Sequence, residues 1–389
     1  MKNNNHSSLR ALIFCAVLMT ITAASDSLRG VFLPQFKSSF SLSETSASHI
    51  IMISYIGNLL FLSVGGFLSD RMPRKRFIGG VICLWSAALL MYVLTENYYI
   101  LLVCMIFSMG GSTMLSTSVN VITPLMFASP AALVSIFNFV QGVGITATQN
   151  VGGRFADSLR SWHIANLIIL ALAAICLALL FTLKLPDPEP TKSERISPLS
   201  IIKRPQSIFL ILICGCYFVA EHGLMNWLTS YGSEHLGFTV SKSAFYLSLF
   251  FGGITVGRLV FAPVIDKVGI FKCLLIYSAV GALLYTVGIA LGRGGMLILG
   301  ISGLAFSIIY PLLVMLIGKF FDPSCAGSAT GLILSIATLF DIGFNAFFGP
   351  LIEKVGYGKA MAVMPAAMIL VAVLLFSLKF TVKQSKEIR

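Results

Sequence analysis

Charge is what this sequence has least of. Asp, Glu, Lys and Arg make up 11% of its 389 residues, against about a quarter in an average soluble domain. A soluble core of this length could not hide a hydrophobic share of 57%, so lipid must be the solvent for most of the surface. Acids are the scarcer sign, 15 against 27 bases, for a net charge of +12. That excess does not point to nucleic acid, because the cations sit in short stretches between apolar runs and form no stripe interleaved with aromatics. Also missing is a Walker-type or dinucleotide loop after a strand, which argues against ATP-driven chemistry. Gly252-Gly253 and Gly294-Gly295 read as packing or turn glycines. No nucleophile and base stand together and no metal-ligand cluster occurs, so neither enzyme activity nor a cofactor or metal is expected. The eight cysteines all lie in or at the edge of apolar runs and read as buried thiols.

What the chain does have is long apolar runs. Twelve of them can span about 30 Å of hydrocarbon: 10–36, 45–70, 77–95, 98–127, 131–156, 162–184, 206–232, 242–266, 271–292, 295–321, 326–352 and 358–380. The first resembles a secretion leader, but its pattern continues past Ala24 to Phe36, so it reads as a retained span. The longest polar interruption, Lys184 to Gln206, is rich in proline and charge and cannot cross a membrane. The expected organisation is therefore a six-helix bundle over 1–184, a cytoplasmic linker over 185–205 and a second bundle over 206–389. With both termini placed in the cytoplasm, 18 Lys and Arg fall in inner segments and seven in outer ones, the asymmetry of a multi-pass protein of the bacterial inner membrane.

The two halves echo one another. Gly66 to Asp70-Arg71 closes the second run, and Ala262 to Asp266-Lys267 closes the eighth. Gly153 to Asp157 and Gly349 to Glu353 close the fifth and eleventh, while Pro124 and Pro311 mark the fourth and tenth. Half-repeats of this kind belong to parallel-repeat transporters with a solute site near the midplane.

Residues Gly66 to Arg76 resemble the major facilitator signature G-x-x-x-D-R-x-G-R-[RK], with Pro73 where glycine is usual. The resemblance implies two pseudo-symmetric six-helix bundles and gives Gly66, Asp70, Arg71, Arg74 and, in the second half, Asp266 a latching role at the cytoplasmic face; plain anchoring to the inner leaflet explains the bases equally well. Leu33-Pro34-Gln35-Phe36, Asn120, Asn138 with Gln141, Glu221 with Trp227 and Tyr231, Gly253-x-x-x-Gly257-Arg258, and Tyr310-Pro311 are similar to the fucose-galactose-glucose proton symporter branch. Two positions depart from that branch: Arg29-Gly30 stands where it has an Asn-Asp pair, and Ser116 where it has an acid.

A charge at a helix centre costs at least about 2.5–3.5 kcal/mol, so each needs a partner or a task. Asp26 and Arg29, three apart on one helix face, either neutralise each other or open so that Arg29 grips an anionic solute. Glu221 reads as a proton carrier or as a carboxyl permanently bonded to a neighbouring helix. Trp227, with Asn226 and Tyr231, offers a face on which a sugar ring could stack, or else belongs to the core. Asn120, Asn138 and Gln141 suit solute contact or inter-helix bonding. Arg258 reads as half of a structural ion pair. Asp341 is its partner, a second proton site or a packing acid. Together the expected solute set is Arg29, Gln35, Asn120, Asn138, Gln141, Asn226, Trp227, Tyr231 and Tyr310, and the proton set is Asp26, Glu221 and Asp341. The expected function is a monomeric secondary transporter, driven by a proton gradient, for a sugar or sugar-like organic acid. Export of amphipathic compounds is the alternative, and a sensor that binds without translocating is a third reading.

Overall fold

The computed structural model describes residues 3–69, 71–127, 129–185, 201–321 and 326–384, and their regular structure is helical throughout. Asp70, most of the expected linker and Cys325 lie outside these residues. Six helices come first: α1 (Asn3–Phe40), α2 (Glu44–Ser69), α3 (Arg74–Leu94), α4 (Tyr98–Met126), α5 (Pro130–Arg154) and α6 (Leu159–Thr182). The second series begins with α7 (Pro205–Ser230), prolonged by a π turn over Tyr231–His235, then α8 (Val240–Val268) and α9 (Ile270–Ala290). The tenth run follows in three pieces, α10 (Met296–Ile301), α11 (Gly303–Phe306) and α12 (Ile309–Phe320), before α13 (Ala326–Val355), α14 (Tyr357–Ala360) and α15 (Val363–Gln384).

Among the described residues eleven segments are long and apolar enough to cross a membrane, and α5 is the run that falls short. Its length is sufficient, but Asn138, Gln141, Thr146, Gln149 and Asn150 dilute its hydropathy. Such a helix survives in hydrocarbon only where neighbours cover its polar face.

The tenth span, expected over 295–321, is found over Gly292–Phe320, though its helix comes in pieces. Pro311 has no amide hydrogen, so the Ser307 carbonyl four residues earlier has no helical donor. The hydroxyls of Ser302 and Ser307 donate to the Leu299 and Leu304 carbonyls at 2.6 and 2.7 Å, holding the backbone at both breaks.

The chain divides into two compact units, Met1–Lys192 with Val240–Phe245, and Ser193–Thr239 with Tyr246–Arg389. Each repeats the same packing plan. In the first, α1 packs on α4, α5 and α6, while α3 packs on α4 and α6. In the second, α7 packs on α12, α13 and α15, while α9 packs on α10 to α12 and on α15. The second helix of each series approaches the broken or straight fourth partner through glycine. An added Cβ at Gly57 would stand 2.3 Å from the Ile106 carbonyl oxygen, and one at Gly303 would stand 1.8 Å from that of Phe250. Gly269 and Gly356, at φ of 88° and 79°, end α8 and α13 in a conformation that L side chains avoid.

Aromatic clusters fill both interiors. Trp162 of α6 meets Phe32 and Phe36 of α1 at 5.5 and 5.0 Å and Tyr92 of α3 at 5.2 Å. In the second unit Phe306 stacks on Tyr285 at 4.7 Å and meets Phe250 edge-on at 5.3 Å. At the exposed joint between α5 and α6, the Ser161 hydroxyl donates to Asp157 at 2.6 Å and holds its carboxyl below the ordinary range.

If the α8 to α11 crossing depends on bare backbone, Gly303→Ala should cost about 1–3 kcal/mol of stability, read as a lower melting temperature in detergent. Gly294→Ala, whose Cβ would meet nothing within 4 Å, should leave the melting temperature within experimental scatter.

Candidate functional site

In the first unit a polar seam joins α1 to α4. Thr22, Ser25, Asp26 and Arg29 recur on one face of α1, and Ser108, Ser112 and Ser116 recur every four residues on α4. The spacing lets them meet in rungs. Thr22 and Ser116 hydroxyls lie 3.2 Å apart, those of Ser25 and Ser108 3.5 Å apart, and Ser112 Oγ reaches both carboxylate oxygens of Asp26 at 2.7 and 2.8 Å. Arg29 is 2% exposed. Its guanidinium lies over the Tyr55 ring of α2 at 5.1 Å and Nη1 donates to Met109 Sδ at 3.5 Å. Asp26 is half-buried, so the carboxylate keeps an opening that the arginine lacks. The α4 serines were the part of this site that reasoning by charge overlooked; their four-residue repeat was the available signal.

Asn120 is half-buried, and its Oδ1 is enclosed without a hydrogen-bond partner among the described residues. Asn138 donates to the Val134 carbonyl of its own helix at 2.8 Å, and Gln141 is half-buried. Gln149 of α5, which sequence reasoning passed over, is fully enclosed with neither amide atom hydrogen-bonded among the described residues.

Several expected solute residues are engaged by the protein itself. The Gln35 amide donates to the Ala156 carbonyl at 2.6 Å and ties α1 to the end of α5. Trp227 is 0% exposed, donates from Nε1 to Asn345 Oδ1 at 3.0 Å and meets Phe348 edge-on at 5.0 Å. No ring face is left for stacking. Asn226, also enclosed, donates to the His222 carbonyl at 2.7 Å, and buried Tyr231 stacks on His235. The three belong to the packing of α7 because α13 and α15 flank that helix. Cys83, expected to be a buried thiol, is exposed on α3.

The charges of the second unit also pair differently from expectation. Asp341, 1% exposed on α13, meets His222 Nδ1 at 2.9 Å, so its partner is the histidine rather than Arg258. The His222 ring stacks on Phe218 at 5.1 Å. Glu221 is not a lone carboxylate. It shares electrostatic surroundings with Arg258 and with Tyr217, Tyr285 and Tyr310, brought together from α7, α8, α9 and α12. Tyr310 stacks on Tyr217 at 6.5 Å.

Of the signature residues, Arg71 is exposed, and Arg74 borders a cavity of about 110 Å³ with Ser69, Thr117 and Ser118. The Gly66 and Asp266 side-chain positions, like Asp70 as a whole, lie outside the described residues.

Replacing Trp227 by Phe removes the Asn345 hydrogen bond and leaves a buried amide oxygen unpaired, at about 1–3 kcal/mol. The variant should melt earlier, while solute affinity measured on the folded fraction stays within about twofold of the parent protein.

The geometry can be set beside known proteins. The model of the Major Facilitator Superfamily matches residues 15–340. Among curated relatives, spinster homolog 1 of Bos taurus is 25% identical over 199 residues, half of this chain and 37% of that protein; the chain thus matches well under half of that relative's length. Among solved structures, the nucleoside transporter NupG superposes with a TM-score of 0.74 at 14% identity, covering 97% of this chain and 99% of that one. A point variant of the fucose:proton symporter FucP of E. coli superposes with a TM-score of 0.68 at 18% identity, covering 96% and 99%. Identities this low carry the fold alone. With most of its length matched by the family model, and a twelve-run helical architecture like that of these transporters, the chain belongs to the Major Facilitator Superfamily, a family of membrane transporters and not of enzymes.

Proposed function

We propose that this protein is a proton-coupled secondary transporter that imports a small hydrophilic solute, a sugar or sugar-like organic acid, across the bacterial inner membrane with both termini in the cytoplasm. The observation that carries this reading is the α1–α4 seam, where an acid, a buried guanidinium and a ladder of hydroxyls stand inside membrane-crossing helices. Ionisable groups at such depth are retained for translocation far more readily than for stability. Asp26 is suited to carry the proton, being held by a neutral hydroxyl that can bond either protonation state. Arg29 then supplies a planar donor fork for a carboxylate or a pair of sugar hydroxyls.

Two comparisons support the solute class. NupG is named as a nucleoside transporter and FucP as a fucose:proton symporter, both solutes with polyhydroxylated rings. Half-buried His222 with buried Asp341 provides a second acid and base pair through which protonation could be coupled in the other half of the molecule. Export of amphipathic compounds fits less well, since an apolar cargo gains nothing from an acid, a guanidinium and serines lined along one helix pair.

In proteoliposomes with an imposed proton gradient, Asp26→Asn should abolish accumulation of a labelled sugar or sugar acid yet preserve exchange without a gradient. Retained gradient-driven accumulation would remove Asp26 as the carrier. Arg29→Lys should lower uptake about 10- to 100-fold at equal protein level, the effect of losing a charge-assisted bidentate contact of roughly 1.5–3 kcal/mol. Undiminished uptake by the lysine variant would leave Arg29 without a part in solute binding.

A further inference from the structure

A cleft of about 640 Å³ opens between the start of α3 and the end of α6, on the first unit alone. Its two ends differ in chemistry. At one end stand Lys75, Arg76 and Lys184, and no acid among the described residues contributes to the lining. Lys75 is already committed, since its ammonium donates to the Phe181 and Leu183 carbonyls at 2.6 and 3.1 Å and so caps α6. Arg76 and Lys184 are exposed and have no carboxylate within 4 Å among the described residues. The other end is apolar and lined by Leu177 and Leu180 beside Gly79, Gly80 and exposed Cys83. A Cβ at Gly80 would meet nothing within 4 Å, so the glycine leaves an open notch along α3 at the depth where acyl chains lie.

We propose that this cleft is a binding site for one anionic glycerophospholipid, its phosphate held by Arg76 and Lys184 and an acyl chain seated in the Gly79–Gly80 notch. Two cations around a rim with no acid among the described residues select a net negative headgroup over a zwitterionic one. The apolar floor selects a lipid over a free anion, because burying methylenes contributes only if the phosphate carries a chain. A basic pocket between two membrane helices is the form such recognition takes.

Native mass spectrometry of the delipidated full-length protein tests the assignment, titrating phosphatidylglycerol against phosphatidylethanolamine of the same chain length. One phosphatidylglycerol should remain bound at activation energies that strip phosphatidylethanolamine. Removing both charges in Arg76→Gln/Lys184→Gln should weaken that binding about thirty-fold, and both positions are exposed enough for folding to be unaffected. Gly80→Leu, which fills the notch and leaves charge unchanged, should weaken binding of the diacyl lipid as well. Equal retention of the two lipids, undiminished binding by the double variant, or full competition by inorganic phosphate at matched concentration would each overturn the proposal.

Discussion

Hydrocarbon offers no hydrogen bonds, and that constraint orders the whole molecule. A polar group within a membrane-crossing helix must find its partner on its own backbone or on the next helix, at a cost of several kcal/mol when it finds neither. Most buried hydroxyls here take the first route, as Thr22, Ser54, Thr123 and Thr255 do by donating to carbonyls four residues back. The side chains that take the second route mark where helices are held together. Gln35 bonds to the end of α5, Trp227 to Asn345, and His222 to Asp341. The seam between α1 and α4 differs from these. There the bonds run between hydroxyls and a half-buried carboxylate on facing helices.

The same constraint explains why glycine sets the spacing between helices. With no apolar driving force between helices in lipid, close approach of backbones is what makes association favourable. Gly57 and Gly110 let α2 and α4 touch, and Gly253, Gly257 and Gly303 do the same for α8 and α11. Each unit thus places its fourth run firmly against its second. The break at Ser307 and Pro311 falls in the fourth run of the second unit, beside Tyr310 and the charges around Glu221 and Arg258. Irregular backbone is tolerated at membrane depth where protein or a cavity surrounds it, and here aromatic rings of α7 do so.

The two units solve the problem of buried charge in different ways. In the first, one acid and one guanidinium lie three residues apart on a single helix, the acid held by Ser112 and the guanidinium over the Tyr55 ring. In the second, acids and bases come from separate helices, so their pairing exists only once α7, α8 and α13 have assembled. A local pair is available to respond to a solute, whereas pairs that span helices couple protonation to helix packing.

Composition and periodicity were enough to read a membrane protein of twelve helical runs in two similar halves, because lipid forces a long apolar run on every crossing and duplication leaves its motifs in register. That Asp26 and Arg29 share one face of α1 was legible too, because three residues along a helix set the face without tertiary knowledge. Only the folded structure decided who faces whom across helices. Trp227 carries the chemical mark of a sugar site, yet the rotation of α7 turns it toward Asn345 and Phe348 of α13. Asp341 could have met Arg258 by charge alone, but the register of α13 against α7 gives it to His222. A helix sequence fixes which residues share a face; the direction that face takes is set by the glycines and aromatic rings of its neighbours, and those lie far away in the chain.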